Sequence, residues 1–201
     1  MSGYIAIGLS WLLFGLLHSL TATHWFKQWV QSVHLIPQPY YRLIYNGIAL
    51  ITFLPVLLTL QEGPVDWLGS WRGSAWIGSL LIVSGSLVGL LAFKEYDIVD
   101  FLGWPMNSPL KESAESEGLR QDGLLRYVRH PLYLGTISAL LGLLANQPDW
   151  KHLMFSLVAF TYLRIGIYFE ERKLVKTFGE AYLRYQHQVP MLFPYRFAPH
   201  R

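Results

Sequence analysis

Three long stretches of this chain, Met1 to Phe26, Leu43 to Leu60 and Gly73 to Phe93, contain no Asp, Glu, Lys or Arg. Each can supply the roughly 20 apolar residues that carry a helix across a bilayer. Such runs would leave a soluble domain with no polar face to turn to water. Over all 201 residues 52% are hydrophobic and 14% charged, against the roughly 25% charged of soluble domains. The sequence is therefore suited to lipid as its solvent.

Two further apolar stretches, Leu132 to Ala145 and Leu153 to Phe169, flank the polar corner "NQPDWKH". The first is short for a full crossing, and the second carries Arg164. Together the runs predict an all-α fold, a polytopic bundle of about five transmembrane helices forming one domain over 1–201. The expected spans are 3–20, 43–60, 74–93, 131–146 and 152–169, with 131–146 either crossing or re-entering. The first run has neither a basic leader nor a small-residue cleavage site after it, so it is expected to stay as a helix.

Lys and Arg are distributed very unevenly between the spans. With five crossings, the segments on one side carry two, five and six of them, and those on the other carry only Arg72 and Lys151. Cations mark the cytoplasmic side. This places the N-terminus outside, the 94–130 connection and the 170–201 tail in the cytoplasm, and the chain in a membrane such as the bacterial inner one. The net charge of +3 follows from those flanking cations, so nucleic acid is not an expected partner. With no cysteine, disulfides, thiol nucleophiles and thiolate metal ligands are excluded.

Gly78, Gly85 and Gly89 recur at spacings of seven and four along the third span, the small-residue stripe that lets membrane helices approach closely. The connection "NSPLKESAESEGLRQDG" is polar and lacks periodicity, as a loop does. It runs into "RYVRHPLYLG", where Pro131 suits the first turn of a new helix. Arg126, Arg129 and His130 then stand at the mouth of the fourth apolar segment, and Gly135 one turn in would let a ligand or a neighbouring backbone come close.

A second polar cluster, "YFEERKLVKTFGEAYLRYQHQVPMLFP", begins at Tyr168. Glu170 and Glu171 sit where the last span leaves the membrane, a costly place for adjacent carboxylates unless they are solvated or engaged. After Phe178-Gly179 the chain resumes as an amphipathic cytoplasmic helix bearing Tyr182 and Tyr185, and it stops at Val189-Pro190. Arg164 either snorkels to water or serves a polar cavity. It shares a helix face with Tyr168 and Glu171, so an Arg164–Glu171 pair is also open.

The two clusters together resemble the integral-membrane methyltransferases related to isoprenylcysteine carboxyl methyltransferase and the phospholipid N-methyltransferases. The shared pattern is an RHPxYxG turn, a helical hairpin, then EExxLxxxFGxxYxxY and VP, and every fixed position is matched from Arg129 to Pro190. The N-terminal "HSLTATHWFKQW" and "YYRLIYN" resemble the NnrU-like and methanethiol S-methyltransferase branch.

The resemblance implies S-adenosylmethionine as cofactor, held at the cytoplasmic ends of the last two spans. His130, Pro131, Tyr133 and Glu170 would line it, with Leu125, Arg129 and Gly135 nearby. A carboxylate suits the ribose diol or the ammonium, and an aromatic face suits a sulfonium. Relatives often carry tyrosine where Leu125 stands, and the prenylcysteine enzymes carry a substrate-binding arginine where Gly166 stands. A prenylcysteine carboxylate is therefore disfavoured, and Arg164 and Glu171 become the acceptor-side candidates.

The implied reaction is methyl transfer to a small or lipophilic thiol, amine or carboxylate by in-line displacement, with no metal. His130 is the nearest candidate base, but a cofactor-binding role is favoured for it. NnrU-like relatives also raise a haem alternative, with His18 and His24 as axial ligands. NADPH-dependent sterol reductases carry a similar HPxYxG turn but more spans.

Overall fold

The computed structural model describes residues 2–61, 66–69, 72–93, 102–104 and 118–195. Residues 94–101, 105–117 and 196–201, which include most of the expected cytoplasmic loop, lie outside them. The elements are α1 (Ser2–Ala22), α2 (His24–Ser32), α3 (Tyr41–Gln61), α4 (Ser74–Ala92), α5 (Pro131–Asn146), α6 (Trp150–Phe178) and α7 (Glu180–Gln188). Among the described residues there is no strand, only an isolated bridge between Trp67 and Asp149. The fold is all-α.

Helices α1, α3 (with the short turn before it), α4 and α6 are long and apolar enough to cross a membrane. Their large apolar side chains point outward: Leu9 and Leu16 on α1, Leu50 and Ile51 on α3, Trp76 and Leu80 on α4 are all more than 60% exposed. Apolar residues turned out along helices with almost no charge are what an acyl-chain environment stabilises. The fourth expected span, α5, has 16 residues, about 24 Å of helix against a hydrocarbon core of about 30 Å. Its brevity follows from Pro131 at one end and the "NQPDW" corner at the other.

The chain divides into two compact units, and α6 contributes to both. In the first, α1 lies against α3, with Ile7 and Val56 fully buried. Trp11 is the hub of an aromatic cluster, with ring centroids 5.8 Å from Phe14, 5.8 Å from Phe53 and 5.3 Å from Phe155 at the start of α6. Helix α2 begins at Thr23, whose hydroxyl caps the Phe26 N–H. It buries Val30 and exposes Trp25 and Trp29, the composition of a helix lying in the membrane interface.

The same unit ties down the "NQPDWKH" corner with polar contacts. Tyr4 donates to Asp66 at 2.7 Å, and the Leu68 N–H pairs with the Pro148 carbonyl. Asp149 accepts from the His152 N–H and binds His152 Nδ1 at 2.7 Å, capping the start of α6.

In the second unit α4 and α5 run antiparallel with glycines facing glycines. A Cβ built on Gly85 would fall 2.5 Å from the Gly135 carbonyl oxygen, and one on Gly135 would fall 2.5 Å from that of Gly85. Two turns away Gly78 and Gly142 repeat the arrangement at 2.7 and 2.6 Å. The stripe expected on the third span is thus half of a reciprocal seam. Gly135, expected to let a ligand or a neighbouring backbone come close, faces the α4 backbone, which occupies the space its missing side chain leaves. Such close approach favours backbone-to-backbone dispersion, which matters because lipid offers no hydrophobic drive between helices.

Gly85→Leu is therefore expected to lower stability by more than the usual 1–3 kcal/mol of an overpacked core, because backbone rather than a flexible side chain blocks the way. Gly47→Ala, at a position with open space around it, should be neutral. Thermal unfolding in detergent micelles compares the two.

Candidate active site

Pro131 starts α5 and is fully buried, with His130 as the residue before the first turn. The segment that carries these residues is held by the chain after α7. The Arg129 N–H donates to the Pro190 carbonyl at 2.9 Å, and the His130 N–H donates to that of Met191 at 3.1 Å. Val189-Pro190, read from sequence as the end of a helix, thus also clamps the RHP turn. Tyr185 adds a third tie, donating to the Leu125 carbonyl at 2.7 Å.

The 29 residues of α6 make about 43 Å of helix, well beyond the hydrocarbon thickness. Glu170 and Glu171 lie where the surplus begins, and their environments differ. Glu171 Oε1 accepts from Arg129 Nε at 2.9 Å, His130 Nε2 at 2.7 Å and Tyr182 at 2.9 Å. Its Oε2 accepts from Arg129 Nη2 at 3.1 Å and from Gln186 Nε2. Arg129 spends its remaining nitrogen, Nη1, on the carbonyls of Gln186 and Val189.

This network joins three segments through one carboxylate. The Arg129 and Glu171 side chains are 8% and 12% exposed, so neither could be left alone without a large desolvation cost. Burial, together with the bond it gives Glu171, pushes the Tyr182 phenol above its ordinary range. It stays a donor. Tyr182 and Gln186 stand one turn apart on α7, the spacing that aims both at one group.

Glu171 is thus fully engaged, and its partner is Arg129 rather than the Arg164 left open by sequence. Arg164 instead donates to the Met191 thioether at 3.2 Å. Glu170 is 38% exposed, with Oε2 3.9 Å from His130 Nδ1, beyond hydrogen-bond reach. His130 itself is buried and meets the Tyr133 ring edge-on at 5.5 Å. The Tyr133 hydroxyl lies over Gly166, 3.5 Å from where a Cβ would be. Gly166 and Glu170 are one turn apart, so His130, Tyr133, Gly166 and Glu170 border one face of α6.

The two histidines raised as haem ligands belong to the first unit. His18, in the first unit, binds Tyr45 through Nε2 at 2.7 Å and stacks on Phe14. His24 is the exposed first residue of α2.

Residues 74–181 match the family model described as phospholipid methyltransferase. The chain belongs to the phospholipid methyltransferase family. A methanethiol S-methyltransferase from Pseudomonas deceptionensis is 31% identical over 188 residues, covering 90% of this chain and 69% of its own length. Methanethiol S-methyltransferase 2 from Bradyrhizobium diazoefficiens is 32% identical over 194 residues, 94% and 72% of the two chains. A protein-S-isoprenylcysteine O-methyltransferase from Schizosaccharomyces pombe is 41% identical over 76 residues, 36% of this chain and 31% of its own. All of these names describe methyl transfer. No solved structure matches the chain significantly.

In this member of the phospholipid methyltransferase family, Glu171→Ala is expected to cost about 3–5 kcal/mol, since it leaves the Arg129 charge buried and unpaired. Arg129→Lys should cost less but still destabilise, because an ammonium cannot serve both carboxylate oxygens and two carbonyls at once. Chemical denaturation of the purified protein in mixed micelles measures both.

Proposed function

We propose that the protein transfers a methyl group from S-adenosylmethionine to a small thiol or a comparably small lipophilic acceptor at the cytoplasmic face of the membrane. The observation that carries this reading is the convergence of buried His130, Tyr133 and half-exposed Glu170 on one face of α6. A thiol is favoured because the relatives that match along most of the chain are named for methanethiol.

The residues fit the cofactor chemically. Glu170 has no hydrogen-bond partner within the buried network and would accept from the ribose hydroxyls or the ammonium. Tyr133 offers an aromatic face to a cation. S-adenosylmethionine would supply a methyl already activated on a sulfonium, so the protein's task is orientation and exclusion of water. His130, its Nε2 committed to Glu171, is held in place as a wall of the site. The cytoplasmic placement rests on the cation asymmetry of the sequence, which puts the α6–α7 junction on the Lys- and Arg-rich side.

Titration calorimetry should show the wild type binding S-adenosylmethionine and S-adenosylhomocysteine. Glu170→Ala should weaken both by about 10- to 100-fold, the cost of losing hydrogen bonds to a charged acceptor. Its exposure predicts unchanged thermal stability. Binding that survives Glu170→Ala and His130→Ala undiminished would overturn the cofactor site, and a haem Soret band abolished by His18→Ala would favour the haem reading instead.

A further inference from the structure

The segment after α7 is tied into the second unit twice through one residue. The Met191 carbonyl accepts from the His130 N–H at 3.1 Å, and the Met191 Sδ accepts from Arg164 Nη1 at 3.2 Å. The first contact is part of the clamp on the RHP turn, and the second joins the same residue to α6. A thioether is a weak acceptor. Arg164 thus sets a charged donor against a poor acceptor, on a sulfur whose oxidation would make it a good one.

Small solutes can reach that sulfur. Met191 is half-buried and lines a groove of about 520 Å³, in which Phe160 and Phe193 are exposed. Of the four methionines, Met1 and Met106 lie outside the described residues. Met154 has other surroundings, since its Cε lies 3.5 Å from where a Gly8 Cβ would be, between α6 and α1. Among the described residues no donor meets its sulfur. The accessible groove and the guanidinium coincide at Met191.

We propose that Met191 is a reversible oxidation site for hydroperoxides, and that Arg164 takes the resulting sulfoxide oxygen as its acceptor. The sulfur lone pair attacks one oxygen of hydrogen peroxide, forming the S–O bond as the O–O bond breaks. The proton on the transferred oxygen passes to the departing hydroxide, which leaves as water. Sulfur loses two electrons and the peroxide gains them. Arg164 has further N–H groups, beyond the one on Sδ, to meet the departing oxygen and then the sulfoxide. The stronger bond holds Met191 to α6, and through the Met191 carbonyl it steadies the His130 backbone. Methionine sulfoxide reductases reverse the change. The site does not depend on the methyltransferase reading.

The test treats the full chain in detergent micelles with hydrogen peroxide and follows sulfoxide at each methionine by peptide mass spectrometry. Met191 should oxidise about tenfold faster than Met154, the scale of one hydrogen bond to a charged group. Arg164→Gln should remove that advantage. Arg172→Gln, a cation stacked on Tyr168 outside the groove, should retain it. Met154 reads folding in the same samples, because an unfolded variant would oxidise it faster too. Hydrogen exchange supplies a measurement that needs no variant. In the oxidised wild type the Arg129 and His130 amides should exchange about fivefold more slowly, within the range of one hydrogen bond, and reduction should restore the original rate. Oxidation of Met191 no faster than Met154, an advantage that survives Arg164→Gln, or unchanged or faster exchange after oxidation would overturn the proposal.

Discussion

The second unit depends on one buried carboxylate. Glu171 gathers the turn before α5, the end of α6 and one face of α7 on a single carboxylate, and the Tyr185–Leu125 and Arg129–Gln186 contacts add direct ties between the turn and α7. A buried ion pair is weak evidence of net stability, because desolvation offsets much of the attraction. What it supplies is geometry. With Arg129 and His130 fixed on Glu171, the adjacent Glu170 is left half-exposed, one residue and 100° around the helix.

A second constraint sets the spacing of the helices beneath that junction. The Gly78–Gly142 and Gly85–Gly135 contacts bring α4 and α5 to backbone distance, and α5 carries the RHP turn at its start. The two constraints have different physics. The glycine seam works by close contact where lipid gives no hydrophobic drive, and the Glu171 network works by charge where the helices emerge into the polar interface.

Much of this was legible from composition and spacing. Charge-free runs predicted the long helices, since backbone in lipid has few alternatives to helix. Pro131 marked the start of α5, and the glycine stripe on α4 foretold a close neighbour. Spacing along one segment could not reveal which neighbour that was, so for Gly135 a ligand and a neighbouring backbone both stayed open until the structure set Gly85 against it. Nor could it separate Glu170 from Glu171, because which of two adjacent helical residues faces inward depends on where α7 and the RHP turn fold back. The Tyr182–Gln186 spacing was the available signal for the Glu171 network, and only its tyrosine was singled out. The Asp149–His152 cap and the Tyr4–Asp66 contact had no signal beyond the "PDWKH" corner itself.

Glu171 holds in place the face on which His130, Tyr133 and Glu170 are proposed to meet S-adenosylmethionine. Ultraviolet cross-linking of methyl-labelled S-adenosylmethionine to the membrane-embedded protein, followed by peptide mapping, locates the cofactor on the chain. Label is expected on the segments 125–135 and 166–172, and it should be lost in Glu171→Ala. Label concentrated in α1 to α3 would show that the cofactor sits elsewhere.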